Sequence, residues 1–296
     1  MHVDETKTQI ALTLDALIVA VTNGAPRVLT VDGDRLPSGP LDVDRHATLE
    51  RGIRQFVAEQ AGLALGYVEQ LYTFGDRARI AAGPRALSIA YLALMREGAA
   101  TLPGAAWRDV YAFLPWEDWR EGPPEIIAAD IVPTLDRWAD GQASRSERLA
   151  QCFGLAGRPW DRERVLERYE LMWEGGLLAE NGSAPGIGMP MAADHRRMLA
   201  TALGRLRGKL KYRPVVFELL PAQFTLTELQ TCVEALAGRA LHTQNFRRLM
   251  ADTQLVTPVG AFVRGHRGRP ASLYAFRREV LHERPAPGVA MPRKLS

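Results

Sequence analysis

Alternating and continuous apolar runs in the first hundred residues predict strands. Residues 10–21 (IALTLDALIVAV) are rich in β-forming side chains, an Asn-Gly pair follows at 23–24, and residues 27–31 resume an extended pattern. This order predicts a hairpin. Residues 65–74 and 86–94 have the composition of further strands. The second of these is apolar enough to be buried on both faces.

Helical periodicity separates and follows these strands. Apolar residues recur at helical spacing between Leu49 and Val57, which predicts an amphipathic helix over 44–61 that ends at Gly62. The Pro- and Trp-rich stretch 101–124 predicts loop or edge structure, and a further helix is predicted over 162–178. An α+β unit therefore comes first, followed by helices.

Turn residues at 181–190 (NGSAPGIGMP) predict a linker. The predicted domains are 1–190 and 191–296. The second begins with a basic amphipathic helix over 192–211, whose leucines form one stripe and whose arginines and lysines lie off it. The stripe is expected to pack on neighbouring helices, with a dimer contact as the alternative. His195 is expected to start this helix and not to bind a metal.

The last hundred residues have the pattern of a winged helix-turn-helix. Residues 225–228 (TLTE) predict a capping box, and the helix that they start ends at Gly238. A second helix is predicted over 244–252, with Phe246, Leu249 and Met250 facing inward. Two extended segments follow, at 255–263 and 271–276, joined by a basic loop. An ordinary two-helix packing motif with a solvated hairpin is the alternative interpretation.

Exposed Arg, Asn and Gln side chains on the second helix fit the edges of bases in the major groove, since Arg can bind guanine and Asn or Gln can bind adenine in a bidentate manner. The residues expected at base edges are Gln244, Asn245, Arg247 and Arg248. The residues expected at DNA phosphates are Lys211, Thr225, Thr227, Arg264, Arg267 and Arg269.

Charge separates the two ends of the chain. Residues 196–296 contain 18 Lys and Arg but only 6 Asp and Glu, which leaves a net charge of −9 on residues 1–195. A basic terminal domain in a chain whose remainder is acidic is typical of a protein that binds a polyanion. Apolar stretches in the 296 residues are too short to cross a bilayer, and the acidic start is unlike a secretory signal, so we expect a cytoplasmic protein with no membrane partner. Cys152 and Cys232 have no metal-site spacing and are expected to be reduced packing residues.

Several segments together resemble the NrtR group of Nudix-related transcriptional regulators. They are 71–76 (LYTFGD), 88–94 (SIAYLAL), 208–212 (GKLKY), 214–220 (PVVFELL), 224–229 (FTLTEL), 244–248 (QNFRR) and 268–271 (GRPA). The resemblance covers the first and last hundred residues. Residues 101–190 match less well and resemble an enlarged insertion in the Nudix part.

The resemblance implies a Nudix-like α/β/α sandwich joined to a C-terminal winged helix-turn-helix that represses genes of NAD biosynthesis or salvage. It also implies an effector, ADP-ribose or a related NAD metabolite, and no bound cofactor. Aromatic residues that could stack on the adenine or ribose and arginines that could pair with the pyrophosphate are candidates for its site. They are, with one acid, Tyr72, Phe74, Asp76, Arg77, Arg79 and Arg85.

The Nudix box itself is degenerate in this sequence. With its last glycine set on Gly62, the box positions that normally hold Arg, Glu, Glu and Glu are occupied by Gln55, Phe56, Glu59 and Gln60. Two further conserved positions, the first Gly and the spaced Glu, fall on Leu41 and Ala47. Hydrolysis of a pyrophosphate needs Mg²⁺ held by several carboxylates, so we expect that this activity is lost and that no metal binds.

Two other functions remain open at the sequence level. One is a Nudix-type hydrolase of ADP-ribose or a similar nucleoside diphosphate, dependent on Glu59, whose basic tail contacts RNA or another subunit. The other is a repressor whose Nudix part serves only dimerisation. A homodimer is expected for a repressor, because one winged helix contacts too few base pairs and two can bind a pseudo-palindrome.

Overall fold

The computed structural model describes residues 10–76, 85–98, 102–182, 186–263 and 270–289. Its larger sheet contains β1 (Ile10–Thr22), β2 (Ala25–Thr30), β3 (Ser38–Pro40), β4 (Tyr67–Phe74), β5 (Arg85–Leu94) and β6 (Ala106–Asp109). The order across the sheet is β4-β5-β1-β2-β6, and β3 also pairs with β1. β1 runs parallel to β5 and antiparallel to β2. The predicted hairpin and the two predicted later strands are confirmed.

The helices of the described residues are α1 (Leu49–Ala61), α2 (Val110–Phe113), α3 (Val132–Ala139), α4 (Ala143–Phe153), α5 (Val165–Glu174), α6 (His195–Lys209), α7 (Leu226–Ala237), α8 (Thr243–Thr253) and α9 (Val280–Glu283). A 3₁₀ turn, Pro115–Glu117, follows α2, and a π-helical turn, Ile127–Ile131, precedes α3. None of the described helices is long and apolar enough to cross a bilayer.

Helix α1 begins five residues later than its hydrophobic pattern predicted. The Thr48 hydroxyl accepts a hydrogen bond from the Arg51 amide at 3.1 Å, which caps the helix at that point. The preceding residues form a turn instead, because the Asp42 carboxylate accepts from the amides of Asp44 and Arg45 at 3.0 and 3.1 Å. The end is as predicted, with Gly62 in the left-handed conformation at φ 70°.

Side chains that alternate along β1 enter two different cores. Leu14 and Ile18 pack with Ile53 of α1 on one face of the sheet. Leu17 and Val19 lie on the other face, in a larger core that includes leucines of α6 and α7. The sheet is therefore covered by helices on both faces. This is the predicted Nudix-like α/β/α arrangement, and it places α6 and α7 directly against the sheet.

Helix α6 combines the predicted leucine stripe with two arginines that the pattern did not identify as buried. Leu199, Leu203 and Leu206 are buried, as expected for a stripe that packs on its neighbours. Arg196 and Arg207 are also buried, although the sequence pattern placed them off the leucine stripe. The predicted boundary at residue 190 stays a prediction, and α6 packs both on α5 and on β1.

The chain ends in a compact winged helix. A second sheet contains β7 (Phe224–Thr225), β9 (Ala271–Phe276) and β8 (Val256–Val263), in that order, beside α7 and α8. Phe217 stacks on Phe276 with ring centroids 4.3 Å apart, which joins the segment before β7 to the end of β9. The predicted helix-turn-helix and the two wing strands are confirmed.

Candidate nucleic-acid interface and nucleotide-sensing face

The capping box at the start of α7 forms as the sequence predicts. The Thr225 hydroxyl accepts from the Glu228 amide at 3.1 Å, and the Glu228 carboxylate accepts from the Thr225 amide at 2.6 Å. Both partners also bond side chain to side chain at 2.9 Å. The capping box fixes the point at which α7 leaves β7, and therefore the position of the neighbouring Thr227.

A second set of hydrogen bonds fixes the turn between α7 and α8. The Gln230 side-chain amide donates to the Leu241 carbonyl at 2.9 Å, and the Glu234 carboxylate accepts from the Leu241 amide at 2.7 Å. Gln230 also donates to Glu234 at 2.9 Å. Sequence reasoning missed this pair, whose only signal is two polar residues four apart on a mostly apolar helix. It holds α8 at a fixed angle to α7.

Helix α8 presents the side chains that the periodicity predicted. Phe246 and Met250 are buried against α7, whereas Gln244, Arg247 and Arg248 are exposed. Asn245 is half-buried, and its side-chain oxygen lies 3.4 Å from the Arg248 guanidinium. The structure therefore brings the four expected base-contacting residues together at the start of one helix.

A concave surface of about 360 Å³ lies between the start of α7, helix α8 and strand β9. Its lining residues are Thr225, Leu226, Thr227, Arg247, Pro270, Ala271, Ser272 and Tyr274. The surface includes two of the expected phosphate-contacting residues, Thr225 and Thr227, together with one of the expected base-contacting arginines. Ser272 and Tyr274 were not predicted as site residues, because on a wing strand their types carry no distinctive signal.

Among the remaining expected DNA contacts, the structure describes Lys211. Lys211 is exposed and forms an ion pair with Glu163, which precedes α5. Arg264, Arg267 and Arg269 lie outside the described residues.

Three of the candidate effector residues, Tyr72, Phe74 and Asp76, lie at the end of β4 at the edge of the sheet. Tyr72 is 57% exposed and Phe74 is 4% exposed, and their rings meet edge to face with centroids 5.3 Å apart. Asp76 forms an ion pair with Arg197 of α6 at 2.5 Å, and the Arg197 guanidinium lies 5.4 Å from the Phe74 ring centroid. Arg77 and Arg79 lie outside the described residues, as does the side chain of Arg85, which starts β5.

Both ends of α6 are attached by buried polar contacts. At its start, the Leu36 amide donates to Nδ1 of His195 at 3.0 Å, so Nε2 carries the proton and donates to Asp15 at 3.1 Å. At its other end, Nε of Arg207 donates to the Leu236 carbonyl near the end of α7 at 3.1 Å. Helix α6 thus connects the larger sheet with α7, the helix that precedes α8.

Three buried charged side chains, those of Glu117, Arg168 and Arg207, interact at the Arg207 end of α6. Glu117 pairs with Arg168 through two bonds of 2.6 and 2.9 Å, and Arg207 donates to the same carboxylate and to the Glu117 carbonyl. Burial raises the pKa of Glu117, but the two guanidinium groups outweigh burial and hold its pKa below the ordinary value. The Tyr111 hydroxyl donates to the Ala235 carbonyl at 2.6 Å beside them.

Comparisons with known proteins agree with this architecture. Residues 216–276 match the NrtR DNA-binding winged helix domain. An 89-residue segment is 37% identical to the ADPR responsive transcriptional repressor NtrR of Acinetobacter baylyi, and the alignment covers 30% of this chain and 35% of that repressor. The C-terminal part of the chain is therefore similar to the winged helix domain of the NrtR family, and the chain spans about a third of the length of the curated relative that it matches.

Two solved structures share the fold of this chain along most of its length. Shewanella oneidensis NrtR complexed with a 27mer DNA has a TM-score of 0.58 at 23% identity, covering 92% of this chain and 95% of that one. A MutT/nudix family protein from Enterococcus faecalis has a TM-score of 0.54 at 16% identity, covering 94% and 90%. A Nudix-like unit followed by a winged helix is therefore the fold of this chain.

Helix α1 carries the residues on which the sequence analysis placed the Nudix box, and its side chains make structural contacts. Phe56 packs across Gly39 and meets the His46 ring edge to face at 5.2 Å. The Gln60 amide donates to the Ser38 carbonyl at 2.7 Å and its oxygen accepts from the Ser38 amide at 3.0 Å. Across the described ranges, no three Asp, Glu, His or Cys side chains are arranged to hold a metal ion.

Proposed function

We propose that this chain is a DNA-binding transcriptional repressor of NAD biosynthesis or salvage genes, and that its Nudix-like unit senses ADP-ribose or a related NAD metabolite. The observation that carries the proposal is the exposed polar face at the start of α8, which presents Gln244 and Arg248 on a helix held rigidly by α7. The Acinetobacter relative is an ADPR-responsive repressor, and the Shewanella protein was crystallised with DNA.

We also propose that the Nudix-like unit binds its effector without hydrolysing it. Phe56 stands where the Nudix box has a carboxylate and fills that position with a packed ring, while Gln60 uses both ends of its amide on the backbone of Ser38. A pyrophosphate cleaved with Mg²⁺ would need carboxylates at these positions. A sensor gains from this loss, since it does not destroy the molecule that it reports.

A homodimer fits this function, and we place it in the cytoplasm with the operator DNA. The exposed face of one α8 spans only a few base pairs, whereas two copies related by a twofold axis would bind two half-sites about 34–36 Å apart or a multiple of that distance. Light scattering of the free protein and of its DNA complex would test the dimer. A complex with one chain per duplex would contradict it.

The decisive experiment is selection of a duplex from a random pool with the full chain, followed by fluorescence anisotropy at low salt with and without ADP-ribose. We expect a selected sequence that binds at least about 10³-fold more tightly than a scrambled duplex, and an affinity that ADP-ribose changes about 5-fold or more. The double variant Gln244→Ala, Arg248→Ala should lose the preference. Arg148→Gln removes one positive charge on α4, outside the winged helix, and should keep it.

The same preparation separates the repressor from a hydrolase. We expect no release of AMP from ADP-ribose with Mg²⁺ beyond the background without protein. Multiple turnovers that disappear in Glu59→Gln would favour the hydrolase instead. If no NAD metabolite changes the melting temperature or the DNA affinity, the Nudix-like unit is a structural scaffold and the sensing part of the proposal is wrong.

A further inference from the structure

The concave surface beside α8 has the chemistry of an anion site. Thr227 and Ser272, which carry hydroxyl groups, line it together with Arg247. Thr225 also lines it, but its hydroxyl already donates to the Glu228 carboxylate. A third available hydroxyl belongs to Tyr274, and no carboxylate lines the surface among the described residues. Hydroxyls and a guanidinium group are donors that phosphate oxygens accept from readily, and Arg can bind a phosphate in a bidentate manner. We call Thr227, Arg247 and Ser272 the Arg247 site.

Arg247 is free to use this site. In the part of the chain that the structure describes, its guanidinium group has no hydrogen-bond or ion-pair partner, although it lies at the junction of three elements. Its neighbour Arg248 differs, because it lies near the side-chain oxygen of Asn245 at 3.4 Å. The two adjacent arginines therefore have different surroundings.

Helix geometry separates the two arginines further. Successive residues of an α-helix are about 100° apart around its axis, so Gln244 and Arg248 lie within about 40° of each other and Arg247 lies about 100° from Arg248. Gln244 and Arg248 share the outward face. Arg247 lies toward the start of α7 and toward Ser272 of β9, at the edge of the recognition helix.

We propose that the Arg247 site holds one phosphate of the DNA backbone, and that Arg247 positions the protein on the duplex instead of contacting a base. This rests on the proposed DNA-binding function and revises the expectation that Arg247 lies at base edges. Base preference then comes from Gln244, Asn245 and Arg248. Ser272 becomes a DNA-contacting residue that the sequence did not identify.

The test compares Arg247→Gln with Arg248→Gln, which removes the same charge one residue away. Binding of the selected duplex and of a scrambled duplex is measured by anisotropy between 50 and 200 mM salt. We expect Arg247→Gln to weaken both duplexes by the same factor, about tenfold, and to lower the slope of log K against log salt by about 0.9. Arg248→Gln should weaken the selected duplex more and reduce the ratio between the two duplexes.

A second measurement identifies the phosphate. Each backbone phosphate of the selected duplex is replaced in turn by an uncharged methylphosphonate. We expect one position per half-site at which the replacement weakens DNA binding by wild type but has little further effect on DNA binding by Arg247→Gln. At that position the loss of binding in Ser272→Ala should differ from the loss in wild type. ADP-ribose affinity should be the same in Arg247→Gln and wild type, since a loss there would assign the site to the effector pyrophosphate and overturn the proposal.

Two other results would also overturn it. One is a loss of discrimination in Arg247→Gln as large as in Arg248→Gln, and the other is an unchanged salt slope. All three side chains that are varied are exposed or half-buried, so melting temperatures should stay close to wild type. Failure of the wild-type chain to bind any duplex would instead refute the proposed function, which keeps the two failures distinct.

Discussion

Arg207 of α6 donates to both the side chain and the backbone of Glu117, and both residues are almost completely buried. The bond to the Glu117 carbonyl is 2.8 Å long. Because Arg207 also donates to the Leu236 carbonyl, the same guanidinium group connects the segment after the first sheet with the end of α7. The Nudix-like unit and the first helix of the DNA-binding motif are joined by a buried charge and not only by apolar packing.

Removing one member of this cluster should destabilise the whole chain. Glu117→Gln leaves Arg168 and Arg207 buried without a counter-charge, and we expect a loss of about 3–5 kcal/mol in the free energy of unfolding. Urea unfolding measures it. Arg148→Gln, which breaks the half-exposed pair with Glu174, is the control and should cost at most about 1 kcal/mol. Equal effects for the two variants would show that the buried cluster is dispensable.

Acid should weaken the fold through the same carboxylate. The pKa of Glu117 in the folded protein is below the value of about 4.5 that it has in the unfolded chain. The stabilisation is therefore complete above that value and is lost as the pH falls from it through the folded pKa. We expect unfolding free energy measured between pH 7 and pH 3 to fall less steeply in Glu117→Gln than in wild type. Parallel curves would contradict this.

Hydrophobic patterning was sufficient to predict most of the elements, because their apolar side chains recur at strand or helix spacing and become buried. It predicted a strand over 10–21, where the structure has Ile10–Thr22, and the buried Phe246 of α8. The capping box at Thr225 was predicted from a different signal, a Thr followed by a Glu three residues later. The hydrophobic patterning placed the start of α1 too early, since a local turn at Asp42 competes with the first helical turn.

The buried charges could not be predicted in this way. Glu117 meets Arg168 and Arg207 across separations of 51 and 90 residues, and each arginine alone has the pattern of a solvated helix position. The Arg247 site is similar, because the hydroxyl of Ser272 reaches it only through the pairing of β9 with β7 and β8. Contacts between distant segments depend on topology, which local spacing does not encode.

Both cysteines should be unreactive in the folded protein. Burial raises the pKa of the Cys232 thiol to about 12 and also raises the pKa of Cys152. Since the thiolate is the reactive form, we expect almost no reaction with Ellman's reagent at pH 8 in the native state. Both thiols should react rapidly in denaturant. Fast labelling of one native thiol would show that its surroundings open.

Restoring a carboxylate at position 56 should harm the fold without restoring hydrolysis. Phe56→Glu would place a charge against Gly39 and the His46 ring, and we expect a loss of about 3–5 kcal/mol in unfolding free energy. Gln55→Glu, at a half-buried position one residue away, is the control and should change stability by less than about 1 kcal/mol, because it only replaces the hydrogen bond to Glu59 by a like-charge pair. Release of AMP from ADP-ribose with Mg²⁺ by Phe56→Glu would show that this single residue had blocked catalysis.

The response to the effector should depend on Arg197. This residue links the candidate effector residues Phe74 and Asp76 to α6, whose far end is attached to α7 through Arg207. Arg197→Gln removes the ion pair between Asp76, just after β4, and α6. We therefore expect that ADP-ribose still binds to this variant. It should change the DNA affinity of the variant by less than about 2-fold, against about 5-fold or more in wild type.

Calorimetry of ADP-ribose and anisotropy of the selected duplex measure the two affinities separately. Lys209→Gln is the matched control, because it removes a second ion pair between α6 and β4, that of Lys209 with Glu69. It should retain the wild-type response if the connection runs through the β4 end next to Phe74. Equal losses in both variants would mean that α6 responds to any weakening of its contact with the sheet, and an unchanged response in Arg197→Gln would remove this residue from the connection.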